Sequence, residues 1–382
     1  MLVESYDAIV VGLGAMGSAT SWALAQRGLR VLGLDQFPPG HERGSSHGES
    51  RIIRQLYFEH SLYVPILQRA YALWGDLEAD VDAQLLYLRG GLILGPAGGH
   101  IVPGARNSAR RHGLPYDELA PDTVAERFPA IRPPPDFVGL WDPSAGFIRA
   151  DRAIEGLQTV ARRRGATLRH SERIQRWHAD ATGVTVDTTE GQYRAAYLAL
   201  CVGPWVARLL GELHLPLVVE RQVLVWFDPP KSPDLFDDAA FPIFIYEHRI
   251  GQTTYGFPRL SLGVKAAVFH GGPSVPDPET VQAAVTAEEI EAVRAVLAPT
   301  FPALATAPVR ASRTCLFTNA PDSRFVLGLH PAHANVVVCS PCSGHGFKFA
   351  SVIGEINADL LTKGTSAFDL SPFSVTRFMG GP

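Results

Sequence analysis

A chain of 382 residues with 46% hydrophobic content holds enough apolar material for two domains or one large α/β unit. A formal net charge of -4 argues against nucleic acid partners and against a polybasic membrane-binding face. No apolar stretch is long enough to span a bilayer, and four cysteines make no disulfide framework, so a cytoplasmic, reducing setting is expected. The first strand is expected within a few residues of Met1, which leaves no room for a signal peptide. That strand is the apolar run Ala8–Val11. The turn Gly12-Leu13-Gly14-Ala15-Met16-Gly17 follows at once, and then a helical pattern with Ala19, Trp22 and Ala23 on one face. Gly28 ends the helix, and a second apolar run, Val31–Leu34, stops at Asp35. Strand, G-x-G-x-x-G, helix, strand and acid in this order form a dinucleotide-binding unit. Gly12 makes the tight turn, Gly14 lets a pyrophosphate approach, and Gly17 lets the helix pack on the strand. Asp35 is placed to accept from a ribose 2′-OH. The motif alone does not separate FAD from NAD.

The loop after Asp35 carries Pro38–His41 and Gly44–Gly48, and reads as a cofactor wrap or a surface Ω-loop. In Ser50-Arg51-Ile52-Ile53-Arg54 the two arginines are three apart and would share a face on a helix. Tyr63–Leu77 reads as an amphipathic helix. From about Asp80 to Pro143 short strands such as Gly91–Leu94 alternate with Pro/Gly turns, a first excursion into an outer domain. The α/β texture returns near Phe147, with Asp151 capping a helix that ends at Gly165. A strand at Thr167–Arg169, a hairpin turning at Glu190-Gly191, and a buried strand Tyr197–Val202 follow, the last leading into Gly203-Pro204-Trp205. Leu215–Arg313 is strand-rich again, with Val223–Phe227, Phe241–Tyr246 and Gly263–Phe269 as candidates and one helix at Ala287–Leu297. Asn335–Cys339 is a strand and Phe347–Leu361 a helix stopped by Gly364. The expected fold is α/β. A discontinuous Rossmann-like unit covers 1–79, 146–214 and 315–382, and a strand-rich α+β substrate domain covers 80–145 and 215–314.

Lysine stands only at Lys231, Lys265, Lys348 and Lys363, so a motif lysine is more apt to serve its own chemistry. Lys348 follows Ser343-Gly344-His345-Gly346-Phe347 in a first helical turn, where the helix dipole disfavours a cation. Lys265 sits in the apolar strand Val264–His270, either buried or on an edge. Cys315 has Arg313 two residues away, on the same side of a strand, where a cation would favour the thiolate. Cys339-Ser340-Pro341-Cys342 is a C-x-x-C, but no further ligands at matching spacing are seen, so no metal is expected.

Taken together, the Gly12–Gly17 turn with Asp35, Ser50–Arg54, Tyr255-Gly256-Phe257-Pro258, Lys265, His270, Arg313-Thr314-Cys315 and Ser343–Lys348 resemble the monomeric sarcosine oxidase family nearly end to end. N-methyltryptophan, pipecolate and fructosyl-amino-acid oxidases are relatives within it. The resemblance implies FAD, bonded through the Cys315 sulfur to its 8α-methyl carbon. It carries cofactor contacts over to Gly12, Leu13, Gly14, Ala15, Met16, Gly17, Asp35 and Gln36, and to Gly44, Ser45, Ser46, Ser50 and Arg51. Further contacts fall on Ile174, Gly203 and Trp205, and on Ser343, Gly344, Gly346, Phe347 and Lys348. It implies that Arg54 and Lys348 clamp a substrate carboxylate and that Tyr255, His270, Phe317 and His345 line the substrate pocket. Lys265 would serve O2 reduction near flavin N5, and Arg51 would favour the reduced flavin; Tyr255 and His270 join them as catalytic candidates.

The implied reaction is oxidation of a secondary amino acid by O2. Sarcosine or another N-alkyl amino acid would give an aldehyde, a primary amino acid and H2O2, and the enzyme would be a monomer. The family carries Tyr where this chain has Phe317, and Cys342 is unusual, so bulkier N-methyltryptophan-like or cyclic imino acid substrates stand as the alternative. An NAD-linked dehydrogenase would leave Cys315 and Lys265 unexplained, and a non-catalytic flavin subunit would make no peroxide alone.

Overall fold

The computed structural model describes residues 4–229 and 233–379; Lys231 and the last residues expected in the Rossmann-like unit lie outside them. The opening strand, Glu4–Val11, is at the centre of an eight-stranded sheet. It pairs in parallel with Val31–Leu34 on one side and Gln192–Leu200 on the other. Thr167–Arg169 and His333–Ser340 extend the parallel core. The hairpin Ile174–Asp180/Gly183–Thr188 and the strand Val326–His330 are antiparallel additions. Ala8–Val10 are completely buried, as a strand covered on both faces should be.

Helix Ala15–Gln26 packs against both Ala150–Arg163 and Ala350–Lys363. The one-sided pattern expected for it is therefore not what is found: every residue from Gly17 to Ala25 is buried. Small residues make this close packing feasible. A Cβ on Gly354 would lie 2.3 Å from the Ala19 carbonyl oxygen.

The second sheet also has eight strands, ordered Val309–Asn319, Val218–Phe227, Gly263–Phe269, Gln252–Leu260, Ile243–Arg249, Gly91–Pro96, Phe137–Asp142 and Asp117–Leu119. Only Ile243–Arg249 and Gly91–Pro96 run parallel. This sheet draws on both outer excursions, and Val309–Asn319 runs unbroken across position 315. The first excursion also holds two helices, Ile101–His112 and Pro121–Arg127, where turns were expected. The first buries Ile101, Val102 and Ala105 and the second Val124, so tertiary packing outweighs the Gly and Pro that obscured the pattern. Helix Ala287–Leu297 matches the expectation and begins with a reciprocal Thr286/Glu289 capping box.

A three-stranded sheet, Ser50–Ile53, Gly146–Arg149 and Leu86–Tyr87, sits at the junction. The segment carrying Arg51 is thus a strand, not a helix, and its pairing with Gly146–Arg149 is what fixes it. Asp151 lies inside the first turn of its helix rather than at the cap, and it accepts from the Glu49 N–H at 3.0 Å. Tyr193 and Tyr197 belong to one continuous strand. The C-terminal helix opens with a 3-10 turn, Phe347–Phe349. Among the described residues no helix is long and apolar enough to cross a membrane.

Candidate active site

A cavity of about 680 Å³ runs from the first glycine turn to the second sheet. At one end it is walled by backbone. Gly12 has a φ of 88°, and a Cβ there would lie 2.4 Å from the Cys201 carbonyl oxygen. A Cβ on Gly17 would lie 1.6 Å from the Gly12 oxygen, so only glycine permits the strand–helix contact. Gly14 precedes the helix with no side-chain cap. The Ala15 N–H meets only the Ser46 hydroxyl, at 3.2 Å, leaving the helix terminus suited to phosphate oxygens. The Asp35 carboxylate accepts from Leu13 N at 2.7 Å and Phe37 N at 2.9 Å, which fixes it at the tip of its strand. Gln36, Gly44, Ser45, Ile174, Gly203 and Trp205 also line this half. Gly17, Ser50 and Ser343 lie behind the wall rather than in it.

At the other end the lining is charged and aromatic. Arg54 is 3% exposed. It donates to Leu56 O and to both oxygens of Glu59, each at 2.7 Å, while its guanidinium lies 4.4 Å from the Tyr57 and Phe58 ring centres. Burial pushes the Glu59 carboxyl up, but Arg54, His345 and Lys348 hold it below its ordinary value. Lys348 donates to His345 O at 2.7 Å and faces the Tyr57 ring. Burial first, then Arg54, lowers its ammonium to about 7, against the opposing pull of Glu59. Two buried cations and one carboxylate therefore share a small volume. Ile52, Ile245, Tyr255, Phe257, Phe269 and Phe317 complete the walls. Tyr255 is held protonated by burial.

The middle of the cavity brings Cys315, Arg51 and His47 together. Arg51 donates to Ser45 O at 2.8 Å and Ser50 O at 2.9 Å, and lies 3.8 Å from the Cys315 sulfur. The cation beside this thiol is thus Arg51; Arg313, expected in that role, pairs with Glu42 at 2.8 Å. Burial raises the Cys315 thiol despite Arg51 and Lys265. His47 lines the cavity with both ring nitrogens buried and unpartnered, and burial, then Arg51 and Lys265, lowers it to about 3. Those nitrogens are closed off from the cavity as well as from solvent, so the ring gives the wall a neutral surface and no hydrogen bond.

Lys265, from the second sheet, lies just behind the lining. Its Nζ donates to Gly48 O at 2.7 Å and Ser50 O at 2.6 Å. His345 lines the cavity, but its nitrogens are spent: Nδ1 is 2.6 Å from Tyr57 Oη and Nε2 is 3.0 Å from Ser323 O. Burial lowers it to about 4, so the neutral ring accepts from Tyr57 and donates to Ser323. His270 is off the lining, drawn 3.1 Å from Glu220 at a left-handed φ of 66° and packed against Phe317. Glu59, His47 and Tyr57 were not singled out from sequence. The sequence offered only a Glu five residues after an Arg, which acquires meaning once Arg54 is buried.

The chain matches the family described as FAD dependent oxidoreductase over residues 7–360. It is 40% identical to monomeric sarcosine oxidase from Streptomyces avermitilis, over 99% of both chains. It is 35% identical to N-methyl-L-tryptophan oxidase from Salmonella enteritidis, over 98% of this chain and 99% of that one. Among solved structures it resembles NikD, an unusual amino acid oxidase essential for nikkomycin biosynthesis. The TM-score is 0.84 at 26% identity, covering 97% of this chain and 98% of that one. L-proline dehydrogenase from P. horikoshii, at 20% identity and a TM-score of 0.85, shares the fold.

Proposed function

The chain belongs to the FAD-dependent oxidoreductase family, alongside monomeric sarcosine oxidase and N-methyl-L-tryptophan oxidase, and from that premise we propose that it is a flavin-dependent oxidase of secondary amino acids. The observation that carries this reading is one cavity with a dinucleotide turn at one end and two buried cations, Arg54 and Lys348, at the other. Bound FAD would supply the two-electron chemistry: acceptance of a hydride equivalent from the amine carbon and return of both electrons, with two protons, to O2 as H2O2.

The chain's own residues divide the remaining work. The Gly12–Gly17 turn and Asp35 hold the phosphate and ribose groups. Arg54 and Lys348 bind the substrate carboxylate, a fork and a point charge for one planar anion. Glu59 competes for this cation, since both of its oxygens already hold Nη2 while Nη1 is bonded to Leu56 O. Apolar walls exclude water and favour the neutral amine, so no general base is assigned. Lys265 and Arg51 supply fixed positive charge where negative charge develops. Cys315 provides the attachment point for the cofactor.

The walls carry no hydroxyl at Phe317, which supports a bulkier N-methyl amino acid or a cyclic imino acid as an alternative to sarcosine. The four cysteines are all unpaired, in keeping with a cytoplasmic protein, and the relative's name supports a monomer.

The test is the visible spectrum of the purified protein after acid precipitation, followed by peroxide release with sarcosine, N-methyltryptophan and pipecolate. Yellow colour in the pellet, absent in Cys315→Ala, establishes a covalent flavin. Colour in the supernatant removes the Cys315 role. A holoprotein that is reduced by these amines but releases no peroxide overturns the oxidase reading.

A further inference from the structure

Lys265 is kept in place by a device that the reaction described above does not use. Glu49 is a buried carboxylate at a left-handed φ of 70°, a conformation that a side chain with a Cβ rarely adopts. That kink lies between Gly48 and Ser50, and it turns both of their carbonyl oxygens onto the Lys265 Nζ. The kink is anchored from the other side. The Glu49 carboxylate accepts from Ser261 N at 3.0 Å, from the Ser261 hydroxyl and from Trp226 Nε1 at 3.3 Å, with Arg149 at 3.6 Å. Ser261 and Trp226 belong to the second sheet and its turn, as Lys265 does. One acid thus ties the loop over the first glycine turn to the sheet that carries the lysine.

We propose that Glu49 is a positioning residue for the Lys265 cation: it locks the carbonyl cradle and supplies the negative charge that keeps the ammonium protonated inside a closed site. This rests on the oxidase reading and names what sustains its O2-reactive charge. The groups facing Lys265 are Arg51, which opposes its charge, and Glu49 and Asp151, which favour it; Cys315, bonded through its sulfur in the holoenzyme, and His47 are neutral. Burial is the main force lowering the ammonium well below its ordinary value. Removing one of two carboxylates against one guanidinium moves the balance toward the neutral amine. The Phe257 ring, 4.1 Å from Nζ, stays in every variant considered.

The experiment has two readouts. In stopped-flow measurements on the holoenzyme, Glu49→Gln is expected to slow reoxidation by O2 by about ten-fold or more near pH 8, recovering as pH falls, while anaerobic reduction stays within about two-fold. Glu49→Asp keeps the charge and loses less. Glu49→Gly relaxes the backbone without restoring the carboxylate, so it serves if Gln fails to fold. The second readout is pH-dependent unfolding. An unfolded lysine holds its proton up to about pH 10.4, so stability rises with pH between the folded and unfolded pKa values. Glu49→Gln is expected to extend that rise to lower pH, and the extension vanishes when Lys265→Met is added.

Unchanged reoxidation and an unchanged stability profile overturn the proposal. If Lys265→Met itself leaves reoxidation intact, the oxidase role of Lys265 falls, and the unfolding cycle still decides whether Glu49 holds its charge.

Discussion

At the dinucleotide end of the cavity the chain offers backbone: Gly12 and Gly14 line it without a side chain, and Gly17 closes the strand–helix contact behind them. At the reacting end it offers buried charge: Arg54, Glu59 and Lys348 lie among aromatic rings, with Lys265 behind the wall. The turn at the heart of the first end, Gly12–Gly17, is one continuous segment and is nearly rigid by sterics. The second is assembled from strands and loops far apart in sequence, and its charges are balanced against one another. Sterics and charge balance fail differently, and the failures separate the two ends.

The largest effect is expected from Gly17→Ala. Its Cβ would lie 1.6 Å from a main-chain oxygen with no flexible atom to yield, so the strand–helix contact cannot close. The expected outcome is destabilisation above about 4 kcal/mol and colourless or insoluble protein, read by yield and flavin absorbance. A yellow, folded Gly17→Ala protein would show that the turn is less tightly closed than its geometry requires.

At the charged end the effects should be graded. Arg54→Met removes the guanidinium fork and is expected to weaken binding of a small carboxylate such as acetate by about 3 kcal/mol, followed by perturbation of the flavin spectrum. Glu59→Gln should act in the opposite sense. It removes the internal competitor for Arg54, so the same titration should tighten by about ten-fold while the ligand-free protein becomes less stable. If Glu59→Gln weakens carboxylate binding, Glu59 is part of the binding site and not its placeholder.

The same contrast explains what the sequence made legible. The glycine turn, its flanking strands and Asp35 are local, so their order and spacing alone defined one end of the cavity. Helix Ala287–Leu297 was legible for the same reason, its cap lying in its own residues. The Arg51–Arg54 segment was not. Its strand conformation comes from pairing with Gly146–Arg149, nearly a hundred residues on, and no local pattern encodes that. Glu59 escaped notice because its role exists only once Arg54 is buried. His270 was placed in the pocket by resemblance, yet Glu220, fifty residues before it, draws it away from the lining. Arg313 shares a strand with Cys315, but proximity to the thiol was decided by Arg51 from a different sheet.

A pH titration sharpens the charge side of the comparison. Lys348 has its ammonium lowered to about 7 by burial and by Arg54. If it clamps the substrate carboxylate as proposed, its protonated form assists binding below that pH; above it the contribution fades, leaving Arg54. KM for an anionic amino acid is expected to rise between about pH 7 and 9 beyond what substrate ionisation explains, and this added rise should be absent in Lys348→Met. Bound carboxylate favours the ammonium, so the inflection should move upward in the complex. His345, neutral down to about 4, should contribute nothing in this window.

The smallest effect is expected at Phe317, which touches neither the glycine turn nor the cations. Its ring lies in the cavity wall 5.8 Å from Phe269, with His270 behind the wall at 5.5 Å. Phe317→Tyr adds one hydroxyl to an otherwise apolar surface. A polar group added to such a wall discriminates weakly unless the substrate pairs with it, so the preference for sarcosine over N-methyltryptophan should shift by about three- to ten-fold in kcat/KM. The shift should favour sarcosine, because a small substrate leaves room for water to solvate the new hydroxyl, whereas an apolar substituent would bury it unpaired. Flavin content and carboxylate affinity should stay at the parent values. A large loss of both substrates alike would mean that the ring supports the cavity rather than sorting what enters it.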